Sequence, residues 1–342
     1  MAAAVAGLKP EVVPASATTV LKCEEHATMT KTSLRRVLET ADRCVVAPCV
    51  YDCASARAVE MVGFRAMMLS GGEVSLAMNG VVDYGFTNIT DTEWITSRIT
   101  QTTSIPLAAD IEDGFGGPLA VYRSTKRMIA AGAGALQLED ACSKDNTTAL
   151  LPREKYYEKV RAALAAMEGT DCFLIARTNA NPATDMDEGC ERMRAAAEMG
   201  ARMTTVVRIT TLDHARRVAG LVPGWKMFPD VRDIDGKPGV TVDEIYPLGF
   251  NFMTMHYTLK AAMDGMLEHG IRNFAQQGCH YTCQKADATG ITGMSATPLF
   301  DPQSYMELES RFGGEEKAYT IVGGAVDAFP AGFVRAKIED RL

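Results

Sequence analysis

Eight short β-rich runs, each followed by a stretch of helical periodicity, restrict what this chain can fold into more than any other feature. They cover 44–52, 66–72, 106–113, 135–140, 173–180, 202–208, 226–231 and 250–258. Between them, segments such as 55–64, 122–133, 153–169, 187–201 and 212–222 carry apolar residues at i, i+3 and i+4, with a glycine near the end. Continuous apolar strands alternating with amphipathic helices are the pattern of repeated βα units around a parallel sheet. Eight such units predict a closed (β/α)8 barrel. A doubly wound open sheet would normally place a glycine-rich phosphate loop after the first strand, and Val50-Tyr51-Asp52-Cys53 is nothing of that kind.

The barrel is expected over 34–270, with a flexible extension at 1–33 and a helical tail at 271–342 that packs on the barrel or on a neighbouring subunit. A length of 342 residues fits one barrel with extensions. The net charge of -8 excludes the concentrated basic face that a nucleic acid or an anionic membrane surface requires. No run reaches the roughly 20 apolar residues that span a bilayer. Nine cysteines without a framework spacing suit reduced thiols, and the first 20 residues lack the marks of a secretory signal. The expectation is a cytoplasmic or organellar protein, cytoplasmic first. The cluster Cys279-His280-Tyr281-Thr282-Cys283 is read as a packed tail rather than a zinc site, and Cys142 as a small buried thiol.

Polar residues gather at the C-terminal ends of the predicted strands: Asp52, Ser70, Asp110 to Asp113, Glu139-Asp140, Arg177, Asp230 and His256. In a barrel those ends converge on the face that carries active sites. Strand alternation puts Asp110 and Glu112 on one side, two hard oxygen donors suited to Mg²⁺, with Mn²⁺ as the substitute. The competing reading is an acidic turn facing water. Glu139 and Asp140, on the next strand, add acids to the same locus, where only a cation would relieve their repulsion. Arg177 either grips a substrate carboxylate or forms a structural ion pair with Glu139 or Asp110. Ser70-Gly71-Gly72 is either an anion nest or a plain turn. His256, at a strand end, has the chemistry for proton transfer near neutral pH; Arg208 and Asp230 are further polar groups at strand ends.

These residues together resemble the superfamily of isocitrate lyase and phosphoenolpyruvate mutase. The likeness runs through Tyr51-Asp52, Ser55-Ala56-Arg57, Leu69-Ser70-Gly71-Gly72, Gly80, Asp83, Asp110 to Gly117, Glu139-Asp140 and Ile175-Ala176-Arg177-Thr178. It implies Mg²⁺ held by Asp110, Glu112 and Glu139, with Tyr51, Ser70, Gly71, Gly72, Asp83 and Arg177 around a small carboxylate substrate. It also implies a homotetramer with an exchanged last helix, and cleavage of a carbon-carbon bond in a 2-hydroxy or 2-oxo dicarboxylate through an enolate. The alternative within the superfamily is a carbon-phosphorus mutase or hydrolase, in which Asp83 acts as nucleophile. A lapsed barrel that only binds ligands is the third reading.

Departures mark an atypical member. The lyase loop Cys-Gly-His, whose cysteine transfers a proton, is absent; Lys144, Asn146 and Thr147 look like the gating loop of the phosphonate branch. Val207 stands where lyases carry glutamate and phosphonate mutases histidine, and Glu112 replaces the usual second aspartate of the metal motif.

Overall fold

The computed structural model describes residues 32–141, 149–231, 233–234 and 237–275, with four further positions at 305, 308, 311 and 312. Lys31–Met266 form one compact unit, and the remainder of the chain is a second. Lys144, Asn146, Cys142 and the 279–283 cluster lie outside the described residues.

All eight predicted strands form: β1 Val45–Val50, β2 Met67–Leu69, β3 Leu107–Asp110, β4 Ala135–Glu139, β5 Phe173–Thr178, β6 Met203–Val206, β7 Trp225–Phe228 and β10 Phe250–Met255. They close a parallel barrel in the order β1-β10-β7-β6-β5-β4-β3-β2. A short antiparallel pair, β8 Asp233–Ile234 and β9 Lys237–Pro238, interrupts the seventh unit.

Around the barrel run α1 Leu34–Glu39, α2 Cys53–Val62, α3 Gly71–Val74, α4 Ile89–Thr102, α5 Pro118–Ala130, α6 Arg153–Met167, α7 Met186–Met199, α8 Leu212–Leu221, α9 Val242–Ile245 and α10 Thr258–Ala275. Local chemistry sets their starts. Asp52 and Asn88 form capping boxes on α2 and α4, and Pro118 opens α5 at the position where its missing N–H costs nothing.

Two apolar layers follow from strand alternation. Outward residues such as Leu69, Leu107, Leu136, Leu174 and Phe228 pack on the helices. Inward residues Ala47, Met68, Ala108, Ala135, Ile175, Met203, Met227 and Phe252 fill the barrel, where Leu34, Val37 and Leu38 of α1 join them. These inward residues are all nearly or fully buried, so the interior is a packed core and not a pore.

Candidate active site

Two residues beyond each inward core residue, the same strand face reaches the C-terminal mouth. Ala108 leads to Asp110, Gln137 to Glu139, Ile175 to Arg177, Met68 to Ser70 and Thr254 to His256. The register pairs Asp110 with Gln137 and Glu139 with Arg177, which fixes these groups side by side. The mouth opens into a cavity of about 540 Å³, lined among others by Ser70, Gly72, Asp83, Asp110, Arg177 and His256.

Arg177 is the hub of the acids. Its Nη1 lies 3.3 Å from Asp110 Oδ2 and its Nη2 3.0 Å from Glu139 Oε2. Nη2 also donates to Asn179 Oδ1 at 3.1 Å, and Asn179 Nδ2 donates to Glu139 at 2.9 Å. Burial acts to lower the guanidinium's pKa, but Glu139, Asp110, Glu112 and Asp83, in that order, outweigh it and hold the group above the ordinary arginine range. The ion pair and the exposure to the cavity coexist, so neither sequence reading of Arg177 excludes the other.

Asp110, Glu112 and Glu139 are all buried. Glu112 reaches them by a route that alternation does not describe, because β3 ends at Asp110 and Glu112 has φ 55 in the left-handed region. Its N–H donates to Asp110 Oδ1 at 2.9 Å and its carbonyl accepts from Glu139 N at 2.9 Å, which pins the turn to the neighbouring strand. Gly71 leaves room for the result: a Cβ there would meet Glu112 Oε1 at 1.9 Å.

The other two acids of the expected locus turn away. Asp113 pairs with Lys159 at 3.0 Å. Asp140 accepts from Thr178 Oγ1, Asn179 N and Arg192 Nη1, and burial pushes its pKa up. Three carboxylates and one guanidinium therefore remain, a buried set with excess negative charge.

That set suits a hard divalent cation. Among the described residues no three His, Cys, Asp or Glu side chains close around a common point. Mg²⁺ makes no such demand, since it commonly takes one or two carboxylates and completes its shell with water and substrate. The oxygen-only donors and the glycine cradle at Gly71 fit it.

Ser70 caps α3, accepting from Glu73 N at 3.3 Å, so the Ser-Gly-Gly segment opens a short helix rather than forming a plain turn. Asp83 lines the cavity and lies within 3.6 Å of a Cβ built on Gly72. Tyr51 is partly buried beside the core and is not among the lining residues.

Two lining groups, Glu73 and Cys49, were not anticipated as site residues, and Arg208, named only as a polar strand end, joins them. Glu73 is buried, and its carboxyl is raised above the usual range, chiefly by that burial. Its sequence signal is an acid directly after the glycine pair. Arg208 lines the rim with φ 64, a conformation no sequence pattern announces. Cys49 is an inward thiol of β1, pushed well up by burial and then by Glu73 and Asp230, which leaves it unreactive near neutral pH. No described helix is long and apolar enough to cross a membrane.

Among proteins of known sequence, the petal death protein of Dianthus caryophyllus is 31% identical over 82% of this chain and 89% of its own length. A 2-methylisocitrate lyase of Aeropyrum pernix is 30% identical over 72% of this chain and 80% of its own. The structure of an oxaloacetate acetylhydrolase with the inhibitor 3,3-difluorooxalacetate superposes with a TM-score of 0.72 at 26% identity, covering 83% of this chain and 97% of that one. A phosphonopyruvate hydrolase bound to oxalate and Mg²⁺ superposes at 0.70 and 26% identity, over 82% and 97%. The family model of phosphoenolpyruvate phosphomutase matches residues 34–273, from the helix that seals the barrel to the one that follows its last strand. With the barrel, its inward strand ends and the match all spanning the same residues, the chain belongs to the phosphoenolpyruvate phosphomutase family.

Proposed function

We propose that this protein is a Mg²⁺-dependent lyase that cleaves a carbon-carbon bond of a small 2-hydroxy or 2-oxo dicarboxylate through an enolate. One observation carries the reading: three buried carboxylates, Asp110, Glu112 and Glu139, gather around the guanidinium of Arg177 at the mouth of the cavity. Asp110, Glu112 and Glu139 would hold the ion, whose positive charge would stabilise the oxygen that turns anionic as the bond breaks. Arg177 presents a planar donor fork to a substrate carboxylate while its own charge stays fixed by its acids. Ser70 and Gly72 line the same wall, where the missing side chain at Gly72 allows a 2-oxo acid to approach the backbone. Asp110 itself is held by the Glu112 N–H, so its orientation does not depend on the substrate.

The lyase named among the relatives and the oxaloacetate-directed enzyme among the structural neighbours support this chemistry. The carbon-phosphorus alternative has in its favour Asp83 in the cavity wall and the phosphonopyruvate hydrolase among the structural neighbours.

A panel of 2-methylisocitrate, 2,3-dimethylmalate, oxaloacetate and phosphonopyruvate, assayed with Mg²⁺ for wild type and Asp110→Ala, decides between them. Release of a keto acid from either hydroxy acid, or of oxalate from oxaloacetate, abolished in the variant, is the expected result. A new phosphorus signal from phosphonopyruvate alone would move the assignment to the second chemistry, and equal activity of the two proteins would refute the site. We further propose a homotetramer assembled through α10, which exposes Met266, Leu267, Ile271 and Phe274.

A further inference from the structure

The cavity contains an acid-base group that neither the metal reading nor Arg177 uses. We propose that His256, oriented by Asp230, is the proton donor to the carbon left with an electron pair when the carbon-carbon bond breaks. It would take over the part of the absent Cys-Gly-His loop. The proposal rests on the lyase reading above.

His256 follows β10 in the inward register of Phe252 and Thr254, and it lines the same cavity as Ser70, Asp110 and Arg177. Asp230, just beyond β7, holds it at two points. One carboxylate oxygen accepts the His256 backbone N–H at 3.0 Å and the other meets ring Nδ1 at 2.6 Å. Such a grip fixes both the position of the residue and the plane of its ring. With Nδ1–H committed to the aspartate, Nε2 is the ring nitrogen left for a reacting group.

The surroundings favour the protonated ring. Burial acts to lower the imidazole's pKa, but the Asp230 hydrogen bond and charge, followed by Glu73 across the cavity, prevail over it and over the opposing charge of Arg177. The direction is upward. Cys49, from β1, remains a neutral thiol and adds no charge. Glu73 is held from below by Thr258, whose hydroxyl lies 3.3 Å from Glu73 Oε2 and donates to the Cys49 carbonyl at 2.7 Å.

The step balances. In a 2-hydroxy acid the hydroxyl proton passes to water as the O–H electrons close the new C=O; the breaking carbon-carbon bond leaves its pair on the carbon next to a carboxylate, and that carbon bonds to the proton on Nε2. The N–H electrons stay on the ring, which ends neutral. Its side chain is 43% exposed, so water can return the proton.

The test compares wild type with His256→Gln, Asp230→Asn and Asp110→Ala. It measures kcat against pH on the dicarboxylate that wild type cleaves, Mg²⁺ binding by calorimetry, and the titration of the His256 ring by nitrogen NMR. Loss of a general acid typically removes about 100-fold or more. His256→Gln is expected to lower kcat by at least about that factor with Mg²⁺ affinity unchanged, whereas Asp110→Ala loses both. Asp230→Asn is expected to retain part of the rate, to shift the alkaline limb of the kcat profile to lower pH, and to bring the ring's titration back down. Turnover by wild type that His256→Gln leaves intact, with the same pH profile, overturns this proposal and not the lyase reading. Absence of turnover by wild type on every dicarboxylate overturns both.

Discussion

At Gly71 the site leaves no room for one methyl group. Its φ is not in the left-handed region, so alanine is compatible with the backbone and even favours the helix it begins; the conflict is with the Glu112 carboxylate, Oε1 at 1.9 Å and Cδ at 2.9 Å. Gly71→Ala should therefore leave the melting temperature within a few degrees of wild type. Mg²⁺ affinity should fall by about 10- to 100-fold, the usual cost of disturbing a group that orients a metal ligand. Calorimetry alongside a thermal melt separates the two effects, and a large loss of stability would mean that the cradle is structural. Glu73, by contrast, has no such simple signature. Its place in the wall became visible only when α3 was seen to turn it inward, because an acid after two glycines reads equally well as a surface loop.

Between elements, Glu188 of α7 clamps α6 to its own helix. It receives Arg153 Nε at 3.0 Å and Arg192 Nε at 2.7 Å. Hydrogen bonding to Arg153, against some desolvation, lowers its carboxyl from 4.5 to about 2. Because the folded value is depressed, the stabilisation is fully present above the unfolded value and is lost as pH falls from about 5 toward 2. Glu188→Gln should cost about 1–2 kcal/mol at pH 7, discounted for partial exposure, and the urea midpoints of variant and wild type should converge across that acid window. The exposed residues of α10 supply a second test. Phe274→Asp should lower the assembly state in light scattering while the far-UV spectrum stays the same; an unchanged mass would remove α10 from the interface.

Strands were the legible elements because parallel strands buried on both faces read as unbroken apolar runs. The ends were less so. β3 was expected to run on to Asp113, yet it stops at Asp110, since glutamate carries no preference for the left-handed turn that Glu112 adopts. The β8-β9 pair was also unforeseen, although Asp235-Gly236 is a dipeptide that favours two-residue turns. Within the site, Asp110, Glu139 and Arg177 could be located from period-two alternation alone. Placement at the strand ends had also gathered Asp113 and Asp140 into the locus, but both turn away to Lys159 and Arg192, partners from helices remote in sequence.

For the whole molecule, a ligand that binds only the folded barrel stabilises it by mass action, about 2.7 kcal/mol at a hundredfold excess over Kd. Mg²⁺ with oxalate should thus raise the melting temperature by several degrees, EDTA should reverse the rise, and Asp110→Ala should abolish it. A melt insensitive to all three would detach the carboxylates from metal binding.

The three non-glycine residues with left-handed backbones among those described, Glu112, Phe115 and Arg208, sit in the turn after β3 and on the cavity rim. Each such residue costs of order 1 kcal/mol or more. A search for heat-resistant variants that introduced glycine wherever the backbone is strained would therefore begin at the mouth of the barrel. At Glu112 it would relax the backbone by erasing a carboxylate of the proposed ion site, so robustness and activity pull that position in opposite directions, whereas at Phe115 the lost packing on the core would offset the gain.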